Sequence, residues 1–186
     1  MRLTRYFRLG RLRIFGAPVH IHSTALFAAA LLGLTALKSP IFGLVAICSY
    51  LSIIFVHEIG HAFVANHLGL DVLSIRIGWF HGNCEYEHPG GDWENVLVAW
   101  GGVLAQFIVA AAVFGVAALD LFEGQNYFGP IIVFLGYINI MVAAINLAPS
   151  RGLDGAIAWR ILRLWLRQIK ARRMAKNAIN KARRNQ

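Results

Sequence analysis

The sequence predicts an all-α membrane bundle of four transmembrane helices, with a short β-hairpin between the second and third and a basic amphipathic helix at the C-terminus. Three observations carry this. The 186-residue chain is 58% hydrophobic and 15% charged, with mean hydropathy +0.57, whereas globular chains run about 45–50% apolar and about 25% charged. Its net charge of +9 gathers at the ends: Arg2, Arg5, Arg8, Arg11 and Arg13 precede the first apolar run, a Lys/Arg-rich segment from Arg151 to Arg184 follows the last, and only Lys38 and Arg76 lie between. Four stretches reach the roughly 17–25 mostly apolar residues that a membrane helix needs. Such hydrophobicity excludes a disordered chain. Two distant cysteines, Cys48 and Cys84, exclude a disulfide framework and a Cys-rich zinc module.

The first span is expected at about 19–37 and the second at about 40–66. No small-residue cleavage site precedes Lys38-Ser39-Pro40, so the first run is expected to stay as a span rather than leave as a signal peptide. The short connection there makes spans one and two a tight helical hairpin. The third and fourth spans are expected at about 96–119 and 127–148. Basic residues accumulate on the cytoplasmic side, so two basic termini place both ends in the cytoplasm, and four crossings satisfy that. The 120–126 loop holds Asp120 and Glu123 without a cation, which suits the outer side. Between spans two and three, Leu73, Ile75, Ile77 and Trp79 alternate with Ser74, Arg76 and Gly78. Beyond His81-Gly82-Asn83, Cys84 and Tyr86 alternate with Glu85 and Glu87. Period two on both arms around a turn predicts a β-hairpin over about 72–88, and its first arm is expected to offer a free edge to an extended segment.

An ionisable residue inside a membrane helix is a functional hypothesis by default. The second span holds three: His57-Glu58-Ile59-Gly60-His61. Positions i and i+4 share a helix face, so two imidazoles can bind one metal ion. The Glu beside the first His can reach a water on that ion and act as its base. Zinc suits this set, accepting imidazole nitrogen and carboxylate oxygen and keeping a position for water. Burying these groups without a partner is costly, and a metal supplies one. A third ligand is wanted. The best candidate is Asp154, after Asn146-Leu147-Ala148-Pro149-Ser150-Arg151-Gly152-Leu153. Pro149 breaks the helix there, and broken helix near a membrane is tolerated where it lines a cavity or is buried in protein. A plain helix N-cap is the competing role for Asp154. Depth agrees: His57 lies about 25 Å along the second span at 1.5 Å per residue, and the fourth span runs the same way to Asp154. Other side chains of ligand type near the pair are His67, Asp71, His81 and Glu85; His67 and Asp71 are too close to His61 in sequence to fold back easily.

These motifs resemble the site-2 protease family of intramembrane zinc metalloproteases. His57-Glu58-Ile59-Gly60-His61 matches its HExxH, and Asn146-Leu147-Ala148-Pro149 with Leu153-Asp154-Gly155 matches its NxxPxxxLDG. Gly101-Gly102-Val103-Leu104-Ala105-Gln106 is similar to the family's Gly-Pro-x-Ala-Asn motif, with Val103 for the Pro and Gln106 for the Asn. Pro18-Val19-His20-Ile21-His22-Ser23 is similar to an entry motif of small members. The resemblance implies a small member without a PDZ or CBS domain. It implies one zinc ion per chain, with His57, His61 and Asp154 as ligands and Glu58 as base. It implies substrate or oxyanion contacts for Asn146, His22 and Gln106. It also implies membrane-protein substrates cut near the cytoplasmic side, in regulated intramembrane proteolysis.

The tail, about 155–184, sets Arg160, Arg163, Arg167 and Lys170 against Ile161, Leu162, Trp165, Leu166 and Ile169. Such a helix is expected to lie on anionic lipids, and no motif points to nucleic acid. His81, Cys84 and His88 fit no standard ligand spacing. Gly101 and Gly102 are expected to let two helices approach closely. Two other functions compete: a metal-binding or metal-transport protein, which has no need of a base beside the first His, and a non-hydrolytic membrane-protein binder.

Overall fold

The computed structural model describes residues 6–79, 82–87, 91–119, 124 and 128–184. Two strands come first, β1 (Tyr6–Ile14) and β2 (Ala17–His22). Then follow helix α1 (Ser23–Gly33), a 3-10 turn (Leu34–Leu37) and α2 (Pro40–His67). Strands β3 (Val72–Ile77) and β4 (Asn83–Tyr86) precede α3 (Asp92–Ala118). Helix α4 (Phe128–Asn146) widens into π-helical turns over Ile132–Ile138. A short α5 (Gly155–Ala158) and the long α6 (Arg160–Arg184) end the chain.

Among the described residues three helices are long and apolar enough to cross a membrane: α2, α3 and α4, with mean hydropathies of 2.0, 2.2 and 2.1. The expected first span is shorter than its apolar run. Residues 19–22 are spent in β2, and only Ser23–Leu37 is helical. Fifteen such residues reach about 22–25 Å, short of a hydrocarbon core of about 30 Å. The signal was present in Ala17-Pro18-Val19-His20-Ile21-His22, where every second residue is apolar and buried, but a long apolar run masked it. Ser39 and Pro40 start α2. The hairpin between α1 and α2 is tight: a Cβ on Gly43 would meet the Ala36 methyl at 2.5 Å. The 120–126 loop lies outside the described residues apart from Gly124.

The four strands form one sheet in the order β1-β2-β3-β4. Strand β3 pairs parallel with β2, Val19 opposite Ile75 and Ile21 opposite Ile77, and antiparallel with β4. The expected free edge on the first hairpin arm is therefore absent, because β2 occupies it; the open edges belong to β1 and β4. The strict alternation expected for β3 also breaks. A bulge between Val72 and Ser74 buries Ser74 and leaves Leu73 half exposed, since one extra residue in a strand flips the side chains beyond it. The inner face of the sheet, with Ala17, Val19, Ile21, Ile75 and Ile77, packs with Ile54, Ala62 and Ala65 of α2 into one apolar core. That core holds the C-terminal half of α2, and with it the site. Phe27, Leu44, Leu104 and Ile108 stay exposed, as lipid-facing side chains do.

Candidate metal centre

Helix α2 carries His57, Glu58 and His61 inward, all at least 94% buried. Two glycines of α3 make room for them. A Cβ on Gly101 would meet the Gly60 carbonyl oxygen at 2.5 Å, so this glycine lets the two backbones touch. A Cβ on Gly102 would meet His61 Nε2 at 2.5 Å and His57 Cε1 at 2.8 Å, so this one leaves space for the imidazoles themselves.

Asp154 arrives from the break after α4. Proline 149 cannot donate a helical hydrogen bond, and Gly152 takes a left-handed φ of +89° that turns the chain back. Two indoles pin the segment: Trp159 Nε1 donates to the Leu147 carbonyl at 2.6 Å, and Trp100 Nε1 to the Ala158 carbonyl at 3.2 Å. Arg160 bonds Asp92 at 2.9 Å, tying α6 to α3. Asp154 precedes α5 but makes no capping hydrogen bond; its Oδ2 lies 3.0 Å from His57 Nε2 and 3.2 Å from His61 Nε2.

The two Nε2 atoms are themselves 3.0 Å apart. Behind them, His61 Nδ1 faces the Val98 carbonyl at 2.7 Å and His57 Nδ1 faces Gln106 Oε1 at 3.0 Å. Both second-row partners are acceptors, so each Nδ1 is placed to donate its proton backwards, and a ring in that tautomer presents a bare Nε2. Three acceptor atoms then converge on one point. That arrangement repels itself unless a cation lies between them. Ligand atoms of a tetrahedral zinc at about 2.0–2.1 Å lie about 3.3 Å from one another, close to the observed triangle. The donor set, its buried Asp154 Oδ2 and its spacing all fit zinc. An aspartate with an ordinary pKa of about 3.9 is ionised at neutral pH, so Asp154 supplies the one anionic ligand of the set.

Glu58 is anchored at one oxygen. The Gly82 backbone N–H donates to Oε1 at 3.1 Å, while Oε2 has no hydrogen-bond partner among the described residues. The β3–β4 turn thus reaches down onto the helix, and Tyr50 helps to hold it by donating to the Trp79 carbonyl. A Cβ on Gly82 would meet the Glu58 side chain and the Arg76 carbonyl at 2.5 Å. Gly82→Ala is therefore expected to displace Glu58 or the turn, at about 1–3 kcal/mol for an overpacked contact. The expected result is turnover reduced at least about tenfold with zinc content unchanged, checked by kinetics beside metal analysis.

A cavity of about 660 Å³ opens over the triad, lined among others by Leu73, Cys84, Glu85, Tyr86, Asn95 and Asn146. Asn146 is 3% exposed and faces it. Burial, aided by the charge of Glu58, pushes the Cys84 thiol up to about 12, so it stays protonated and is no thiolate ligand. Glu85 is engaged by Ser74 and Arg76. His67 stacks on Phe63. His22 caps α1 by accepting from Thr24 N–H and does not line the cavity. Gln106 does not line it either; fully buried, it sits behind His57. His81 and His88 lie outside the described residues. The Val98 carbonyl, the Gly82 N–H and the space at Gly102 were not legible as site features, because a backbone group or a missing methyl carries no side-chain signature.

No family model matches the chain. It is 27% identical over 152 residues to a zinc metalloprotease of Methanocaldococcus jannaschii, covering 81% of this chain and 43% of that protein. It is 30% identical over 129 residues to a putative zinc metalloprotease of Synechocystis, covering 65% of this chain and 33% of that one. The chain thus spans less than half the length of these curated relatives. The solved site-2 protease of Methanocaldococcus jannaschii superposes with a TM-score of 0.70 at 22% identity, over 85% of this chain and 71% of that one. The chain is thus similar in sequence to zinc metalloproteases and shares the fold of a solved site-2 protease.

Proposed function

We propose that this chain is an intramembrane zinc endopeptidase that hydrolyses peptide bonds of membrane-protein substrates. One observation carries this: three converging ligand atoms, His57 Nε2, His61 Nε2 and Asp154 Oδ2, stand beside a carboxylate whose Oε2 has no hydrogen-bond partner among the described residues. A zinc ion held by those three would supply Lewis acidity and bring the pKa of a water to about 7. Glu58 Oε2 takes a proton from the attacking water and returns it to the leaving amine nitrogen, while the Gly82 N–H holds the other oxygen still. Asn146 faces the cavity and is placed to hold the substrate backbone or the developing oxyanion. A metal-transport role has no use for a free base at this position.

An extended segment is the form in which a peptide carbonyl is accessible, since a helix protects it. The cavity is lined by β4, which is also the open edge of the sheet, so an extended substrate would add there as a further strand. The basic termini support a cytoplasmic position for both ends. That parity asks α1 to act as a fourth crossing, which a locally thinned bilayer accommodates. Exposed Leu162, Trp165, Leu166 and Met174 on α6, beside Arg163 and Arg167, suit an anionic leaflet surface. We assign the protein to the cytoplasmic membrane if its source is bacterial, acting in regulated intramembrane proteolysis.

The test uses purified protein in detergent with a membrane-spanning substrate. Chelation of zinc should abolish cleavage, and one equivalent of zinc per chain should restore it. Cleavage that survives complete zinc removal would sink the proposal; so would zinc flux into proteoliposomes without any cleavage.

A further inference from the structure

We infer that Gln106 is a positioning residue for the metal site: its side-chain carbonyl sets the tautomer and ring angle of His57 and so keeps Nε2 bare for the ion. This rests on the zinc site proposed above. Gln106 lies on α3, is completely buried, and places Oε1 3.0 Å from His57 Nδ1. Its own backbone is fixed, because Asn139 Nδ2 donates to the Gln106 carbonyl at 2.8 Å. Asn139 is itself 1% exposed and sits where the π-helical turns of α4 end. A buried amide pair thus joins α4 to α3 and ends on the first ligand.

Only the carbonyl end of the amide can play this part. Its NH2 end would donate to Nδ1 and move the ring proton to Nε2, where it would face the metal position. The observed orientation leaves the Gln106 NH2 group without a partner among the described residues. Filling space does not explain that, since an apolar side chain would fill it with no unpaired donor. Holding an acceptor against Nδ1 does. Val98 performs the same service for His61 through its backbone carbonyl, which no substitution removes, so Gln106 is the half of the pair that mutation can reach. Outer partners of this kind change metal affinity by about 10–100-fold.

Gln106→Glu keeps an acceptor and charges it. Gln106→Met keeps approximate volume and removes the acceptor. Each is purified beside the parent, and two quantities are read: zinc retained through dialysis against graded chelator, and the rise in Tm when zinc is added to the stripped protein. Gln106→Met is expected to bind zinc about 10–100-fold more weakly and to show a smaller zinc-dependent rise. Gln106→Glu should retain zinc at least as well as the parent, with a larger rise, because its metal-free form holds an extra buried charge. Parental zinc retention in Gln106→Met overturns the inference. If Gln106→Met fails to fold, a folded Gln106→Glu that loses zinc more readily than the parent overturns it, and one that keeps zinc supports it. A parent that binds no zinc overturns the zinc site and this inference together.

Discussion

Glu58→Gln is expected to leave zinc bound and to abolish peptide cleavage. The substitution is nearly isosteric. An amide can still accept the Gly82 N–H through its oxygen, so the turn over the helix keeps its anchor. The change falls at Oε2, which has no hydrogen-bond partner among the described residues and becomes an NH2 group that cannot take a proton. General-base catalysis contributes about 10²–10⁴-fold, and here the same group also returns the proton to the leaving amine, so the loss should reach at least the upper part of that range. Glu58 is not one of the three converging acceptors, so zinc content should match the parent. Cleavage assays beside metal analysis check both halves. Appreciable turnover by the zinc-loaded variant would remove Glu58 as the base.

Asp154→Asn should fail for the opposite reason, by losing the ion. The carboxylate is the only anion in the triangle and makes both of its contacts through Oδ2. An amide oxygen is a neutral, weaker ligand, and the alternative rotamer would aim an NH2 group at the metal position. Loss of an outer partner costs about 10–100-fold in affinity; weakening a direct ligand should cost more than about 100-fold. The fold should survive, since the two indoles and the Arg160–Asp92 pair hold the segment without the carboxylate. Zinc retention and activity should fall together, and excess zinc should recover part of the activity. Parental zinc content in this variant would mean that another group completes the site.

The difference between the two variants mirrors how the site could be read. His57, Glu58 and His61 sit within one helix, where 3.6 residues per turn converts spacing directly into geometry. Asp154 lies 93 residues beyond His61, and only the parallel run of two spans brought it to the right depth. What stayed hidden was non-local. Nothing in positions 17–22 announces a parallel partner more than fifty residues away, and that pairing moved the free sheet edge from β3 to β4. Gln106 was legible as a polar residue in an apolar helix, but whether it faced the cavity or the back of His57 depended on the rotation of α3 against α2. Gly101 and Gly102 were legible together as small residues, yet one admits a backbone and its neighbour admits two imidazoles.

By itself, the sequence determined a membrane chain, the helical pairing of two imidazoles with a carboxylate, and the broken helix that ends at Asp154. Each follows from local periodicity, from proline's missing donor, or from the cost of burying ionisable groups in apolar surroundings. Tertiary structure alone decided that β2 takes four residues from the first apolar run, that β4 borders the cavity, that Gly82 anchors Glu58, and that Val98 and Gln106 turn both Nε2 atoms bare towards Asp154. These depend on the relative placement of elements far apart in the chain, which long-range packing sets and no local pattern encodes.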